Sequence, residues 1–309
     1  MDKCTNYGES PLYVALREDN TDIVNKLVEN KADINLCNDD GESPLYIACE
    51  GDYTDIVNSL LNNKADINRC KCNGETPLFV ACEEGYTDIV NRLVDNKADI
   101  NKCTKDGESP LYIACKGGYI DIVTKLVDNK ANINQCTIDG ELPLHAACTE
   151  GNMDIVNKLV ENKADVNLYN DDGESPLHIA CERGYTDIVN RLVDNKADIN
   201  WCNNEGESSL YIACEGGYTD IVNILVDNKA DINKCRRTGE LPLHIACEGG
   251  FTEIVTKLVD NKTDINKCTN DGESPLQIAL KQGFIEIAEI IQKEQIRQIV
   301  ASMDNHHLI

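Results

Sequence analysis

The chain has 309 residues and a formal net charge of −25, because 54 aspartate and glutamate residues outnumber 29 lysine and arginine residues. Its acidic residues are spread along the sequence, which argues against binding to nucleic acid or to an anionic membrane, since both need clustered basic residues. The first ten residues lack the apolar core of a signal peptide, and no run approaches the roughly 20 apolar residues of a membrane span. We therefore expect an intracellular, cytoplasmic protein.

A glycine followed by glutamate recurs every 33 residues without an insertion. A fixed period of this length is typical of a solenoid, because one such unit cannot bury its own apolar face and stacked neighbours supply the missing core. The pattern predicts nine tandem repeats. Their glycines are Gly8, Gly41, Gly74, Gly107, Gly140, Gly173, Gly206, Gly239 and Gly272.

Within each repeat the sequence predicts two helices. In the second repeat, Ser43 is a suitable N-cap and Pro44 suits the first helical position, where no N–H bond is lost. Thr54 and Asp55 begin helix two, where an acid is favoured by the helix dipole. A stretch rich in Asn, Asp and Gly then predicts a protruding turn. Helix one is expected to end at a glycine in seven repeats, at Gly85, Gly118, Gly151, Gly184, Gly217, Gly250 and Gly283.

The segment GESPLHIACERGYTDIVNRLVDNKADIN, at residues 173–200, resembles the ankyrin repeat, whose pattern is G-x-T-P-L-H-x-A-A, a glycine, and L-L-x-x-G-A-D-V-N. The resemblance covers nearly the whole chain. It implies an all-α ankyrin-repeat solenoid of stacked helix-turn-helix units with projecting β-hairpin-like turns. We assign the solenoid to residues 1–292, and a C-terminal helical extension with a frayed tail to residues 293–309.

Three features depart from the family pattern. The motif histidine, which the resemblance places in a hydrogen bond to the turn backbone, is kept only at His145, His178 and His244. Lysine replaces the glycine after helix two in eight repeats, so either this lysine or the preceding asparagine must take the left-handed conformation. Ser209 replaces the helix-starting proline of the seventh repeat.

The two ends of the repeat array differ from its interior. The first repeat has Asp19 and Asn20 where inner repeats have glycine and tyrosine, which suits a solvent-facing cap. In the ninth repeat helix two continues beyond Gln292 with an apolar stripe. We expect the stripe to cap the last interface, since solenoids need capped ends, with docking of a partner helix as the alternative. The stripe consists of Ile296, Ile299, Val300 and Met303.

Fifteen of the sixteen cysteines form two series in phase with the repeats, one four residues before the glycine and the other eight residues after it. Equivalent cysteines should lie about 8–10 Å apart, beyond the roughly 7 Å Cα limit of a disulfide. We therefore expect thiols, in agreement with a reducing cytoplasm. The pairs His145 with Cys148 and His244 with Cys247 lack the four convergent ligands of a zinc site, so we expect no metal and no cofactor.

We predict that the protein is not an enzyme. The glutamates after the glycines occur once per repeat, about 10 Å apart, which is too far for a cooperating carboxylate pair. The sequence shows neither a glycine-rich phosphate loop nor a nucleophile with a positioned base.

Function is expected where the repeats differ, because shared positions serve packing. The differences concentrate in the turn tips and at the ends of helix one, which the resemblance places on a concave, partner-facing surface. Trp201 is the only tryptophan and is a candidate hot spot, although it could instead cover the neighbouring turn. The candidate partner-binding residues are Leu168, Tyr169, Trp201, Arg236, Arg237 and an acidic stripe of Glu141, Glu174, Glu207 and Glu240, unless these glutamates only form a solvated face.

These residues predict a scaffold that binds another protein with a basic surface, and neither nucleic acid nor membrane. We expect Trp201→Ala to weaken binding and to leave thermal unfolding nearly unchanged. The alternative function is structural, with near-identical repeats self-associating into filaments or assemblies. The segment LVDNKADIN resembles the ankyrin context of asparaginyl hydroxylases, which implies hydroxylation at Asn101, Asn200 and Asn233.

Overall fold

Each repeat forms two α-helices, and this pairing accounts for the whole described chain. The computed structural model describes residues 10–306, with side chains through residue 303. Over this range there are eighteen helices and no β-strand, with one isolated antiparallel bridge between Cys202 and Ser208. The predicted all-α class is confirmed. Cys4, Gly8, Glu9 and residues 307–309 of the expected frayed tail lie outside the described residues.

The chain divides into two compact units, the first ending at Asp165 and the second beginning at Val166. Unit 1 contains α1 Pro11–Arg17, α2 Thr21–Glu29, α3 Pro44–Glu50, α4 Thr54–Asn62, α5 Pro77–Glu83, α6 Thr87–Asp95, α7 Pro110–Lys116, α8 Ile120–Asp128, α9 Pro143–Thr149 and α10 Met153–Glu161. Unit 2 contains α11 Pro176–Glu182, α12 Thr186–Asp194, α13 Ser209–Glu215, α14 Thr219–Asp227, α15 Pro242–Gly249, α16 Thr252–Asp260, α17 Pro275–Gln282 and α18 Ile285–His306.

The first helix of most repeats begins at a serine or threonine N-cap and buries small residues; in α9 and α15 the N-cap residue is leucine. The Ser43 hydroxyl accepts the N–H of Tyr46 at 3.1 Å, as predicted for an N-cap before proline. Ala48 and Cys49 are fully buried, and α3 packs against α5. Small side chains at these positions let successive first helices approach each other closely, so the core of each unit runs from repeat to repeat.

Left-handed residues end both helices of the first eight repeats and the first helix of the ninth. All seven glycines expected to end helix one have positive φ, and Asp19 and Asp52 take the same conformation in the first two repeats. After helix two, the lysine rather than the asparagine is left-handed, with φ between 62° and 72°. A non-glycine residue in this region costs on the order of 1 kcal/mol or more, so these lysines lower the stability of every turn. They are Lys31, Lys64, Lys97, Lys130, Lys163, Lys196, Lys229 and Lys262.

The turn before each recurring glycine of the described repeats, from Gly41 onward, has hairpin-like hydrogen bonds. The N–H of Lys71 donates to the carbonyl of Glu75 at 2.9 Å, and the N–H of Gly74 donates to the carbonyl of Lys71 at 2.9 Å. Neighbouring turns are joined as well, since the N–H of Ile138 donates to the carbonyl of Asp106 at 2.9 Å. A Cβ atom on Gly107 would lie 2.9 Å from that Ile138 nitrogen, so close turn stacking requires glycine.

An asparagine at the end of each repeat joins the repeat to the next one. The carboxamide oxygen of Asn68 accepts the N–H of Asp99 at 2.8 Å, and that of Asn200 accepts the N–H of Asp231 at 2.8 Å. Each such bond contributes about 1 kcal/mol net. We call this series the asparagine ladder; it comprises Asn35, Asn68, Asn101 and Asn134 in unit 1, and Asn167, Asn200 and Asn233 in unit 2.

The C-terminal helix corrects one prediction. Helix α18 continues without interruption past residue 292 and includes residues 304–306, which we expected to belong to the frayed tail. Its apolar stripe does not cap the array, because Ile296, Ile299, Val300 and Met303 are all more than half exposed. Instead the buried residues of α18 lie earlier, at Ile287, Ala288 and Ile291.

The two cysteine series have different surroundings. The series within the first helices is buried, and burial raises the pKa of the thiol of Cys247 to about 12. The series in the turns is partly or fully exposed. Among the residues that the structure describes, the cysteines are thiols and not disulfides. Within the same range, none of the helices has the length and apolar character to span a bilayer.

Candidate functional site

Two aromatic residues from successive turns of unit 2 stack on each other. The rings of Tyr169 and Trp201 have centroids 4.7 Å apart and planes inclined by 15°. The indole N–H of Trp201 donates to the carbonyl of Gly173 at 2.8 Å. Tyr169 remains 52% exposed, and Leu168 and Trp201 remain 37% exposed. The structure therefore brings Tyr169 and Trp201 together in one accessible patch, and it leaves Leu168, which precedes Tyr169, exposed.

Trp201 both covers the neighbouring turn and presents aromatic surface to solvent. The expectation that Trp201→Ala leaves unfolding nearly unchanged does not fit this geometry. The substitution removes a hydrogen bond and a stacked aromatic pair, each contributing about 1 kcal/mol. Its effect on binding therefore has to be measured together with its effect on stability.

The two arginines of the expected basic patch differ in their surroundings. Arg236 is partly buried; its Nε atom lies 3.1 Å from a carboxylate oxygen of Glu207, and its guanidinium lies 6.0 Å from the centre of the Tyr211 ring. Arg237 is exposed, and its backbone N–H donates to the carbonyl of Glu205. Arg236 is thus held by an intramolecular ion pair, and only Arg237 presents its charge freely to solvent.

The glutamates of the acidic stripe are partly buried and hydrogen-bonded. The side chain of Glu207 accepts a hydrogen bond from Asn203 at 2.9 Å, and that of Glu174 accepts one from Asn170 at 3.2 Å. Glu240 accepts from the hydroxyl of Thr238 at 2.8 Å. In unit 1, a carboxylate oxygen of Glu141 lies 3.6 Å from Nδ1 of His145. These side chains stabilise the turns in addition to supplying negative charge.

Tyrosine at the motif-histidine position bonds the glutamate of the next repeat, a contact that the sequence analysis missed. The Tyr46 hydroxyl donates to Glu75 at 2.7 Å, and the Tyr13 hydroxyl donates to Glu42 at 3.0 Å. In unit 2, Tyr211 donates to Glu240 at 3.3 Å. The signal in the sequence was a constant separation of 29 residues between tyrosine and glutamate.

The motif histidines have structural hydrogen bonds, as the resemblance implied. Nδ1 of His244 accepts the N–H of Leu241 at 2.9 Å, and its Nε2 lies 3.0 Å from the carbonyl oxygen of Lys267. His178 contacts the hydroxyl of Ser175 at 2.8 Å and the carbonyl of Glu207 at 3.2 Å. Burial lowers the pKa of His178 to about 4, so this ring is neutral at pH 7.

Glutamates at the ends of the first helices lie close to those of the turns. Burial raises the pKa of Glu50, with further contributions from Glu42 and Glu84. The pKa values of Glu83 and Glu215 are raised by burial and by neighbouring glutamates in the same way. We call these groups the acidic surfaces; they comprise Glu42, Glu50, Glu75, Glu83 and Glu84 in unit 1, and Glu182, Glu207, Glu215 and Glu240 in unit 2.

The repeat geometry has counterparts among known proteins. A family model described as ankyrin repeats (3 copies) matches residues 12–102, 88–170, 144–236 and 228–300, which together span nearly all of the described chain. The chain belongs to the ankyrin-repeat family. It is similar to the crystal structure of the human ASB11 ankyrin repeat domain, with a TM-score of 0.63 and 26% sequence identity over 71% of this chain and 98% of that one. No curated protein matches it.

Membership of the ankyrin-repeat family gives the general class of function. Ankyrin repeats are generally protein–protein interaction modules, and the fold is typically non-enzymatic. Among the residues with described side chains, no group of three or more His, Cys, Asp or Glu is placed to hold a metal ion. The features that distinguish this ankyrin-repeat chain are therefore its surface charges and its exposed turn residues.

The structure adds two surface residues that the sequence analysis did not select. Ile138 is 63% exposed at the tip of a turn in unit 1, where the equivalent ankyrin-repeat positions hold Lys105 or Asn204. Lys71 lies 3.0 Å from Glu42 and 5.3 Å from the centre of the Tyr46 ring. Both could have been found by comparing the turn tips of the nine repeats, because Ile138 is apolar where other repeats have a polar residue and Lys71 is basic where most have a neutral one.

Proposed function

We propose that this ankyrin-repeat protein is a non-enzymatic scaffold that binds a basic protein through its acidic surfaces and its exposed turn aromatics. The observation that carries the proposal is the convergence of glutamates from successive repeats. In addition to burial, the charge of Glu84, the C-cap of α5, raises the pKa of Glu50 at the end of α3 and the pKa of Glu83 at the end of α5. The turn residues Leu168, Tyr169, Trp201 and Arg237, together with Glu141, Glu174, Glu207, Glu240 and the tethered Arg236, complete the proposed contact set.

Mutual repulsion explains why a basic partner is favoured. Like charges held close together on a folded scaffold raise the free energy of the unbound state, and an approaching cation relieves that repulsion. The net charge of −25 also attracts a basic partner at longer range, and added salt screens this attraction over about 8–10 Å. Apolar contacts at the turn aromatics should be less sensitive to salt.

The test compares two double variants that remove the same charge from different helices. Glu83→Gln with Glu84→Gln neutralises part of the acidic surface of unit 1, whereas Asp88→Asn with Asp121→Asn neutralises exposed positions on second helices. A partner captured with the wild-type protein from its source cells is titrated against each variant by calorimetry. We expect the first pair to weaken binding by roughly 1 kcal/mol, about fivefold, and the second to have little effect.

Equal affinities for the two double variants would contradict the proposal, because the acidic surface would then contribute no specific contact. Binding that does not weaken between low and high salt would also contradict it. In the same titrations, Trp201→Ala should cost about 2 kcal/mol if the turn aromatics are an anchor. Its own unfolding curve must be recorded, since the indole also stabilises its turn.

A second candidate function, self-association, is favoured by the exposed end of unit 2. In the eighth repeat, Gly250 is covered by the next repeat, because a Cβ atom added to it would lie 2.6 Å from Phe284. In the ninth repeat, Gly272 and Gly283 have no described atom within 4 Å of such a Cβ, so this end of unit 2 is uncovered. Leu280, in the last first helix, is also exposed. Light scattering over a range of protein concentrations separates the candidates, because a mass that grows with concentration would favour assembly over the scaffold function.

We also propose hydroxylation of Asn101, Asn200 and Asn233. All three side chains are exposed, and each carboxamide oxygen accepts a backbone N–H in the asparagine ladder. An enzyme that binds the carboxamide must therefore break its hydrogen bond to the next repeat. Hydroxylation should for this reason compete with folding of the turn. Mass spectrometry of protein from its native source should find one added oxygen at these positions, and unmodified peptides at all three would contradict the proposal.

A further inference from the structure

The stacked aromatic pair of unit 2 borders a small cavity. Its volume is about 300 Å³, and it is lined by Asn167, Ser175, Asp198 and Trp201. This is the lower end of the range for small-molecule sites, so the space suits one amino-acid side chain better than a cofactor. Because the indole N–H of Trp201 is bonded to Gly173, the ring is fixed beside this space.

The charges around the cavity favour a cationic occupant. Asp198 is exposed, and one of its carboxylate oxygens accepts the N–H of Asn200 at 3.0 Å. His178, which lies behind Trp201 and contacts its backbone, is neutral at pH 7 because its pKa is lowered to about 4. Asp231 and Lys234 of the following turn lie near Cys202, where they act in opposite directions on the pKa of its thiol, which burial raises. The cavity therefore combines an aromatic wall with an anionic side chain.

We propose that this cavity receives the guanidinium group of an arginine side chain from a partner protein. A guanidinium is planar, stacks on indole and phenol rings, and can donate two hydrogen bonds to one carboxylate. In this arrangement the arginine lies against the Trp201 ring and pairs with Asp198, both of which line the cavity. The assignment rests on the proposed function as a binder of basic proteins and specifies which side chain enters this site.

The single tryptophan makes the site directly observable. Trp201 is the only tryptophan of the chain, so its emission reports this cavity and no other. The probe is the capped tripeptide acetyl-Gly-Arg-Gly-amide, and its control is the same peptide with citrulline, which keeps the shape of arginine and removes its charge. We expect a saturable change in Trp201 emission with the arginine peptide, and binding weaker by about tenfold or more with the citrulline peptide.

A matched pair of variants tests the role of Asp198. Asp198→Asn keeps the oxygen that accepts the N–H of Asn200 and removes the charge. Asp264→Asn makes the same change at the equivalent position of a later turn, where the carboxylate accepts the N–H of Asn266. We expect the first variant to weaken binding of the arginine peptide by about tenfold and the second to leave it unchanged.

Two outcomes would overturn the inference. Equal binding of the arginine and citrulline peptides would exclude recognition of the guanidinium charge. Equal losses in the two aspartate variants would mean that only the overall charge matters. Neither outcome depends on the captured partner or on the glutamates of unit 1, so failure here is distinguishable from failure of the proposed function. Circular dichroism of both variants confirms that the helices remain formed.

Discussion

Ser209 begins the one first helix among the described repeats that does not start with proline. The eight prolines of the chain all stand at the first helical position of their repeats, and Ser209 replaces the ninth. Its hydroxyl is buried, with no hydrogen-bond partner among the described residues. The preceding residue, Ser208, is extended, with φ −87° and ψ 160°, which is the conformation that a following proline requires. The site is thus already shaped for proline.

We expect Ser209→Pro to raise the free energy of unfolding by about 1 kcal/mol. The substitution removes an unsatisfied buried hydroxyl and reduces the conformational freedom of the unfolded chain. Urea denaturation measures the change, and Ser209→Ala is the control, since it removes the hydroxyl without restricting the backbone. If Ser209→Pro is no more stable than Ser209→Ala, the ring does not fit the start of α13.

The left-handed lysines show where sequence reasoning stops at the residue scale. From the sequence, either the lysine or the asparagine before it could adopt the left-handed conformation, and asparagine tolerates this conformation better in general. In the structure the lysine adopts it, because the asparagine side chain is hydrogen-bonded to the preceding helical turn. The carboxamide of Asn96 donates to the carbonyl of Arg92 at 2.9 Å, and that of Asn129 donates to Lys125 at 2.8 Å. The direction of these carboxamides could not be inferred from the repeat pattern.

At the scale of elements, His178 joins α11 to the turn that precedes α13. The pKa of its ring is lowered from 6.5 to about 4, chiefly because burial disfavours the charged form. The unfolded chain therefore binds a proton near pH 6.5 that the folded chain still excludes. The stability that depends on the neutral ring is complete above pH 6.5 and is lost as the pH falls toward 4.

We expect the His178 contribution to fall by about 1.6 kcal/mol between pH 6.5 and pH 5, since its slope is about 0.7 kcal/mol per pH unit at pH 6.5 and approaches about 1.4 kcal/mol per pH unit below it. The comparison is with His178→Gln, because Gln277 occupies the equivalent position of α17 and accepts the N–H of Ser274 at 2.8 Å. Unfolding free energies of both proteins are measured across this range. Parallel pH profiles would show that His178 does not titrate between the folded and unfolded states.

The C-terminal helix shows the limit of sequence reasoning at the scale of elements. Its continuation was predictable, because the Asn-Lys pair that ends the inner second helices is absent after Gln292. The exposure of its apolar stripe was not predictable, because it depends on the length of the helix that packs beside α18. Helix α16, which packs against α18, ends at Asp260 after nine residues, whereas α18 has 22 residues. Beyond that length, Gln295 reaches back to Asn266 at 3.0 Å, and the apolar side chains face solvent.

For the molecule as a whole, the 33-residue period predicted a stacked repeat, the resemblance to the ankyrin repeat predicted its fold, and the candidate site was predictable only in part. The turn positions of Tyr169 and Trp201 followed from the repeat register. Their stacking, the bond from Trp201 to Gly173, and the capture of Arg236 by Glu207 did not. These contacts depend on side-chain direction between turns, which residue spacing leaves open.

The contacts between repeats also bear on how the chain folds. The hydrogen bonds that join neighbouring repeats span about one period, for example 29 residues from Tyr46 to Glu75, 31 from Asn68 to Asp99 and 36 from Tyr218 to Glu182. Loop-closure entropy grows with the logarithm of loop length, so a contact across a tenfold longer loop would cost about 2 kcal/mol more. Each repeat can therefore dock on a folded neighbour at the entropic cost of closing one short loop, and this cost does not depend on the total length of the chain.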